Sequence, residues 1–286
     1  MLRAIREVEI KARVLADEGF LGAYRSVFRG SGLEFEEVRE YQPGDDVRSI
    51  DWNVAARMGL PYVKKYREER ELSVTLAVDV SASSWFGTAA LSKRELAANV
   101  GALLSVAALR TNDRVGLLLF ADRVLEYHPP QRSHDHLLRI IRALLFTEQR
   151  RSSTRIGVAA DFLRNVGKKR GVVFIISDFL DDGFETPLRM LGRKHDLVAL
   201  TLNDPRELDL PAVGVVELED AESGVVRAID TGSSALRESY GAAMRRRRVE
   251  RLRAFGRMAV DCVDLSTDRP YLPPLIQLFA TRTRRH

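Results

Sequence analysis

The chain has 286 residues, which is enough for one large domain or for one domain with a substantial addition. Hydrophobic residues make up 45% of it and charged residues 30%, a balance that excludes a disordered chain, and its formal net charge is +5. The single cysteine, Cys262, excludes an intrachain disulfide and predicts a reducing, cytoplasmic setting.

The first 70 residues show one clear periodic pattern. Residues 2–17 place apolar side chains among charges at the spacing of an amphipathic helix, and those charges do not fit a signal peptide. Residues 19–32 are rich in glycine and serine and are predicted to be irregular. A Pro-Gly-Asp turn is predicted at 43–45 and a weak strand at 62–66. We therefore predict that residues 1–70 form an N-terminal helix and a segment that packs on the core.

After this segment, strands alternate with helices. The predicted strands cover residues 72–80, 114–122, 123–128, 170–179, 195–204 and 259–266. The predicted helices cover residues 92–110, 134–146, 153–166, 184–194, 233–258 and 270–282. This alternation predicts an α/β fold, with a mixed, mostly parallel sheet and helices on both faces. The longest apolar run, residues 100–109, is about half of the ~20 residues that a membrane helix needs, so no membrane span is predicted.

The alternation is interrupted at about residues 204–232. Residues 213–220 and 224–230 are two short β-type runs separated by a polar turn, which predicts a β-hairpin over 213–230. The core domain is therefore predicted to cover residues 71–286, with this hairpin as an insertion.

Short oxygen-bearing side chains follow the predicted strands. Asp79, Ser81 and Ser83 come at the end of the first core strand, Asp178 ends a later strand, and Thr154 lies just before a helix. In open α/β sheets, ligands bind at the carboxyl ends of strands. Hydroxyl and carboxylate oxygens without histidine or cysteine suit a hard cation. The sequence therefore predicts a Mg²⁺ site at these five residues.

Each of these residues also has an ordinary structural explanation. A serine after a strand, such as Ser81 or Ser83, most often caps the following helix, and Thr154 occupies a similar position. Asp178 by itself is typical of a turn. The combination of the five residues, in this order on an alternating pattern, is what favours a site.

The combination resembles the metal-ion-dependent adhesion site of von Willebrand factor A domains. That motif is Asp-x-Ser-x-Ser, followed by a threonine and then by an aspartate that ends a later strand. Residues 79–83, Thr154 and Asp178 match its three parts, whereas serines at 152–153 replace the two glycines before the threonine. The resemblance covers about residues 72–203 and implies a von Willebrand factor A-like, Rossmann-like fold.

The resemblance also implies roles for the five residues. The hydroxyls of Ser81, Ser83 and Thr154 would reach the metal directly, and Asp79 and Asp178 would act mostly through water. A carboxylate of a protein partner would complete the coordination. Mn²⁺ or Ca²⁺ stays open as an alternative to Mg²⁺, and so does a site that is formed but empty.

A second resemblance concerns the segment before the core. An Arg-x-Tyr-x-x-Gly-Asp-x-x-Arg-x-Ile-Asp-Trp block followed by Ala-Arg resembles the bacterial family called domain of unknown function 58, as does the segment 203–224. The residues that match the block are Arg39, Tyr41, Gly44, Asp45, Arg48, Ile50, Asp51, Trp52, Ala56 and Arg57. Members of this family are commonly encoded beside MoxR-type AAA+ ATPases, which implies such an ATPase as the partner.

We interpret the matching block as a structural signature. Its charged residues are suited to ion pairs that lock the segment against the sheet, with Trp52 as a buried anchor. A catalytic or nucleotide site at Asp45 and Asp51 is the alternative. A Walker-type NTPase is not expected, because the sequence has no Gly-x-x-x-x-Gly-Lys-Ser/Thr loop.

Two further features require an interpretation. Trp85 and Phe86 follow the serines and either pack beneath the metal loop or form an apolar rim for a partner. The run Arg245–Arg248 lies within a predicted helix, so its charges fan around the axis, as in a solvated surface. No nucleic-acid binding is expected, since neither interleaved aromatic residues nor a known motif accompanies the run.

The sequence thus predicts a non-enzymatic, metal-dependent protein-interaction module that captures an acidic side chain of a partner. Two alternatives stay open. A metal-dependent phosphoesterase would need a nucleophile or general base beside the metal. The arginine-rich helix could instead bind nucleic acid or a membrane surface through its charge.

Overall fold

The chain forms two compact units in a computed structural model. The described residues are 1–28, 32–69, 72–148, 151–167 and 169–284. One unit comprises Met1–Val27 and Ser73–His286, and the other comprises Phe28–Leu72. This division differs from the predicted 1–70 and 71–286, because the N-terminal helices belong to the larger unit. The predicted boundary at residues 70 and 71 lies outside the described residues.

The strands and helices are numbered in chain order. The strands are β1 (Gly32–Glu40), β2 (Tyr62–Glu69), β3 (Ser73–Asp79), β4 (Arg114–Phe120), β5 (Val124–Gln131), β6 (Val172–Ser177), β7 (Asp196–Asn203), β8 (Val215–Glu219), β9 (Val226–Asp230) and β10 (Asp261–Ser266). The helices are α1 (Leu2–Leu15), α2 (Leu21–Val27), α3 (Trp52–Met58), α4 (Lys93–Arg110), α5 (His134–Phe146), α6 (Ile156–Val166), α7 (Glu185–Gly192), α8 (Pro205–Leu208), α9 (Ser234–Met258) and α10 (Leu272–Thr283).

The larger unit is built on a sheet that has six strands within the described residues. Their order is β10-β7-β6-β3-β4-β5, and every neighbouring pair is parallel except β4 and β5. This is a doubly wound order, in which β3, the first strand of this sheet along the chain, lies centrally. The α/β, von Willebrand factor A-like fold with a mixed, mostly parallel sheet is confirmed.

The two faces of the sheet are covered by different helices. On one face of the sheet, Leu76 of β3 packs against α4. Helix α4 in turn packs closely on α5 at Gly101, since a Cβ at Gly101 would lie 2.9 Å from Leu144 Cδ1 of α5. The next residue, Ala77, belongs to a buried cluster on the opposite face with Ile156 of α6 and others from α7 and α9. Because successive side chains of a strand point to opposite faces, the sheet is buried on both sides.

The N-terminal helices pack within the larger unit through aromatic residues. Phe20 and Tyr24 are fully buried, and their ring centroids lie 5.3 and 5.7 Å from that of Phe279 in α10. The prediction that residues 19–32 are irregular is wrong for 21–27, which form α2. Burial of the aromatic side chains outweighs the low helix propensity of glycine and serine there.

The predicted hairpin is present as β8 and β9. The two strands pair antiparallel from Val215↔Asp230 to Glu219↔Val226. Most of their residues are exposed, so the hairpin projects from the larger unit and contributes little to its core.

The smaller unit holds most of the signature residues. β1 and β2 pair antiparallel, and Arg39 of β1 donates to both oxygens of Asp45 at 2.8 and 2.6 Å. Asp51 begins α3 by accepting from the N–H groups of Asn53 and Val54. Gly44 has a φ of +111°, which glycine adopts without strain. Arg39, Gly44, Asp45 and Asp51 therefore shape the loop between the two strands.

The prediction that Trp52 is a buried anchor is wrong. Trp52 is 68% exposed, because it is the first residue of α3 and the half-buried positions of this helix are Val54 and Ala55. Two other signature residues, Arg48 and Arg57, are also exposed, and Tyr41 is half-buried.

None of the helices in the described part of the chain combines the length and the apolar character that crossing a bilayer requires.

Replacement of Gly171 by alanine is expected to destabilise the larger unit. Gly171 precedes β6, and a Cβ there would lie 2.4 Å from the backbone carbonyl oxygen of Ser73 in the adjoining strand. We expect the free energy of unfolding, measured by urea denaturation, to fall by about 1–3 kcal/mol. Gly192→Ala is the control, since nothing lies within 4 Å of its Cβ position at the end of α7. Equal stability of the two variants would contradict the close approach of the strands.

Candidate functional site

The candidate site lies at the carboxyl edge of the sheet, between β3 and β6. These strands are parallel neighbours, and the order of the sheet reverses between them, with β4 on one side and β7 on the other. Asp79 is the last residue of β3, and Asp178 directly follows β6. Open α/β sheets bind ligands at such a switch point. The topology alone therefore brings these two carboxylates together.

Three hydroxyl groups converge beside the carboxylates. Ser81 Oγ lies 3.2 Å from Ser83 Oγ, and Thr154 Oγ1 donates to Ser81 Oγ at 2.8 Å. The side chain of Ser83 is also close enough to Asp178 to lower the pKa of that carboxyl. The structure thus places all five residues of the predicted metal site in one cluster.

These hydroxyls are not used as helix caps. Helix α4 begins at its own capping residue, Ser92, and the first N–H of α6, on Ile156, donates to Asp181 at 2.8 Å. Among the described residues, neither Ser81 nor Thr154 caps a helix through its side chain. The capping explanation of these residues is therefore wrong, and their oxygens stay available to a ligand.

Asp79 is held by two donors from the chain itself. Its Oδ1 accepts from the Ser81 N–H at 2.9 Å, and its Oδ2 accepts from Ser177 Oγ at 2.7 Å. Burial and then the negative charge of Asp178 raise the pKa of Asp79 to about 6. Two carboxylates buried together repel each other, so the site calls for positive charge.

Lys93 supplies one compensating charge. Its ammonium is fully buried and donates to Asp178 Oδ2 at 2.8 Å and to Glu207 Oε1 at 2.6 Å. Burial disfavours the charged forms, but the pairing outweighs it, so the pKa of Asp178 is lowered and the pKa of Lys93 is raised. Asp178 Oδ1 also accepts from the Leu180 N–H at 3.2 Å, so this residue forms a turn and belongs to the cluster as well.

Arg94 is a second buried cation near the cluster. Its guanidinium carbon lies 5.4 Å from the ring centroid of Trp85, and its nitrogens have no hydrogen-bond partner among the described residues. Burial lowers the pKa of Arg94 to about 10, although the charge of Asp79 opposes this shift. Trp85, predicted either to pack or to form a rim, is half-buried and packs against this guanidinium.

Phe86 differs from Trp85 in remaining 40% exposed. It lines a cleft of about 920 Å³ together with Leu180 and two residues of the hairpin, Val216 and Leu218. Phe86 is therefore the member of the predicted rim that a partner could touch.

The donor set fits a hard divalent cation. Octahedral Mg²⁺ holds oxygens at about 2.0–2.1 Å, so adjacent ligand oxygens lie about 3 Å apart. The separations of Ser81 Oγ from Ser83 Oγ and from Thr154 Oγ1 are 3.2 and 2.8 Å. No three His, Cys, Asp or Glu side chains of the described residues form a metal-binding group. These hydroxyls, supported by Asp79 and Asp178, are thus the groups that could hold Mg²⁺.

The arginine run of α9 is partly paired within the chain. Arg245 lies 3.3 Å from Asp209, and Arg248 pairs with Asp264. Arg251, one turn further on, donates to the Asp178 carbonyl and to Asn203. Part of the run therefore anchors α9 to the edge of the sheet that carries the site.

Several residues around the cluster were not predicted from the sequence, among them Lys93 and Ser177, which contact it, and Glu207, which pairs with Lys93. The position of Lys93 could have indicated its role. A cation in the first turn of a helix interacts unfavourably with the helix dipole, so its presence there suggests a stabilising partner elsewhere. Ser177 and Glu207 carried no such signal, since a polar residue at a strand end or in a short helix is common.

The Lys93→Met variant is expected to be strongly destabilised. Removal of the ammonium leaves Asp178 and Glu207 without their buried cation, so the free energy of unfolding without added metal should fall by about 3–5 kcal/mol. Chemical denaturation at neutral pH measures it. Arg3→Met, which removes a cation from an exposed ion pair with Glu7, should leave stability nearly unchanged. A loss no larger for Lys93→Met than for this control would show that the buried pairing is not needed.

Several solved structures are similar to the chain at low identity. The protein BatB from Bacteroides thetaiotaomicron aligns with a TM-score of 0.48 and 17% identity, covering 74% of this chain and 99% of that one. The von Willebrand factor A domain of SpRpn10 aligns with a TM-score of 0.40 and 12% identity, covering 72% and 94%. Similarities at this level carry no conclusion about function.

The sequence relatives are closer. Uncharacterized proteins of Mycobacterium tuberculosis and Mycobacterium bovis are 35% identical over 284 residues, which is 98% of this chain and 89% of theirs. An uncharacterized protein of Mycobacterium avium is 32% identical over 130 residues, which is 45% of this chain and 76% of its own. The family described as protein of unknown function DUF58 matches residues 37–250. The chain therefore belongs to the DUF58 family.

Proposed function

We propose that this protein is a non-enzymatic, metal-dependent protein-interaction module. The hydroxyls of Ser81, Ser83 and Thr154 hold a divalent cation, Mg²⁺ in the first instance, and Asp79 and Asp178 support it through water. When bound, the cation supplies an open coordination position that attracts a carboxylate. An acidic side chain of a protein partner occupies that position.

One observation carries the proposal. Residues from three separate parts of the chain, 79–83, Thr154 and Ser177, bring their oxygens within hydrogen-bonding distance at the switch point of the sheet, although the nearby helices have other caps. Asp79 and Asp178 are buried together, and a bound cation would offset the repulsion between their charges.

A phosphoesterase activity fits the site less well. An aspartate nucleophile needs a free oxygen, whereas both oxygens of Asp79 accept hydrogen bonds from the chain. Lys93 and Asp178 are engaged with each other. The histidines at 134 and 136 lie at the start of α5, away from this edge, and His136 hydrogen-bonds the Val115 carbonyl. A binding role requires no such free group.

The family resemblance supplies the partner of the proposal, a MoxR-type AAA+ ATPase that acts with this protein in the assembly or maturation of others. Phe86 and the cleft beside it would add apolar contacts to the metal-bridged carboxylate. We place this interaction in the cytoplasm, in keeping with the free thiol of Cys262.

Mg²⁺ or Mn²⁺ is expected to stabilise the protein against heat. A ligand at 100 times its Kd raises the free energy of unfolding by about 2.7 kcal/mol, which thermal-shift measurements detect easily. The Ser81→Ala/Ser83→Ala double variant should lose this response, because two of the three hydroxyl ligands are gone. Ser105→Ala, which removes a buried serine hydroxyl within α4, should keep it. No response in the wild type would refute the metal site.

Binding of the cognate MoxR-type ATPase is expected to depend on the metal. With purified proteins, retention in Mg²⁺ should be at least about tenfold stronger than in chelator, a difference of about 1.4 kcal/mol. The Ser81→Ala/Ser83→Ala variant should behave in Mg²⁺ as the wild type does in chelator, and Ser105→Ala should behave normally. Binding that is unchanged by both chelator and the double substitution would rule out a metal-bridged contact.

A further inference from the structure

The tip of the β8–β9 hairpin reaches the candidate site. Glu222, in the turn between the two strands, has its Oε1 3.4 Å from Thr154 Oγ1, which is in position to donate to it. A carboxylate of the chain itself therefore lies beside one of the three hydroxyls of the proposed metal site.

The turn that carries Glu222 is organised by its own hydrogen bonds. Asp220 Oδ1 accepts from the N–H of Glu222 at 3.1 Å, from the N–H of Ser223 at 2.7 Å and from Ser223 Oγ at 2.9 Å. The Gly224 N–H donates to the Asp220 carbonyl at 2.7 Å, with Gly224 at a φ of +71° that favours glycine. These bonds fix the direction in which Glu222 leaves the hairpin.

The geometry suits a carboxylate that shares an ion with Thr154. Two oxygens on adjacent positions of an octahedral Mg²⁺ lie about 3 Å apart, so a separation of 3.4 Å needs only a small adjustment. The charges point the same way. The Glu222 carboxylate is repelled by the negative charge of Asp178, and a cation at the cluster would relieve this repulsion.

We propose that Glu222 is a sixth residue of the metal site and a ligand supplied in cis. Its carboxylate takes the coordination position that the proposed function assigns to an acidic partner, and this inference rests on that function. A partner must then displace the tip of the hairpin before its own carboxylate can bind.

Displacement of the hairpin tip costs little free energy, because the contacts that hold it are exposed to solvent. Glu222 is exposed, and the ion pair between Arg151 and Glu219 that also joins the hairpin to the Thr154 loop is exposed on both sides. Movement of the tip would uncover the cleft beside Phe86, whose hairpin wall includes Val216 and Leu218. The partner segment that fits has an acidic residue flanked by apolar ones.

Titration of the purified full chain with Mn²⁺ tests the proposal. Loss of one charged ligand in Glu222→Gln should weaken Mn²⁺ binding, measured by isothermal titration calorimetry, about tenfold. Glu217→Gln is the matched control, because it makes the same change in charge and volume on the same hairpin, at an exposed carboxylate of β8. It should bind Mn²⁺ as the wild type does.

Water proton relaxation gives a second readout, the number of water molecules on the bound ion, which affinity alone does not report. At saturating protein, the Mn²⁺ ion bound to Glu222→Gln should carry about one more exchangeable water than the ion bound to the wild type or to Glu217→Gln. That gain identifies a vacated inner-sphere position and distinguishes direct ligation from a distant effect of charge.

The outcomes separate this inference from the proposed function. If the wild type binds Mn²⁺, Ser81→Ala/Ser83→Ala does not, and Glu222→Gln is indistinguishable from Glu217→Gln in affinity and water count, the cis ligand is refuted and the metal site stands. If the wild type itself binds no Mn²⁺, both are refuted. Weaker binding with an added water in Glu222→Gln alone supports the cis ligand.

Discussion

The repulsion between two buried carboxylates is the constraint on which the rest of the site depends. Asp79 and Asp178 end neighbouring parallel strands, and the strand order leaves no room to separate them. Three groups around them supply positive charge or a hydrogen-bond donor: the ammonium of Lys93, the guanidinium of Arg94 and the hydroxyl of Ser177. A divalent cation held by the nearby hydroxyls would complete the same compensation, and this is why we interpret the cluster as a binding site and not as a feature of the core.

The two carboxylates differ in how their negative charge is compensated. Asp178 pairs directly with Lys93, so its charge is balanced whether or not a ligand is present. Asp79 has hydrogen-bond donors but no direct ion pair among the described contacts, and its pKa is raised to about 6. One carboxylate is therefore committed to the fold, whereas the other keeps a need for positive charge. A site that must remain stable when empty and still attract a cation requires this division.

Much of the fold could be predicted because hydrophobic periodicity is a local property. The buried strands, the helices between them and the hairpin all follow from patterns within short windows, and the order of the five site residues indicated their common location. Contacts between residues that are distant in the sequence are harder to predict. Nothing in the sequence beside Tyr24 shows that Phe279 covers it, so the sequence does not predict α2. The residue type of Trp52 favours burial, but the helix it begins presents other positions inward.

The covalent attachment of the hairpin has a further consequence. A carboxylate on a tether of this length meets the site at an effective concentration on the order of millimolar, whatever the amount of protein present. A partner with a single weakly bound aspartate would lose this competition even when abundant. A partner that offers several contacts at once, and so gains from avidity, would win it when scarce. Selection by the site would then depend on how many contacts a partner makes and not on how much of it there is.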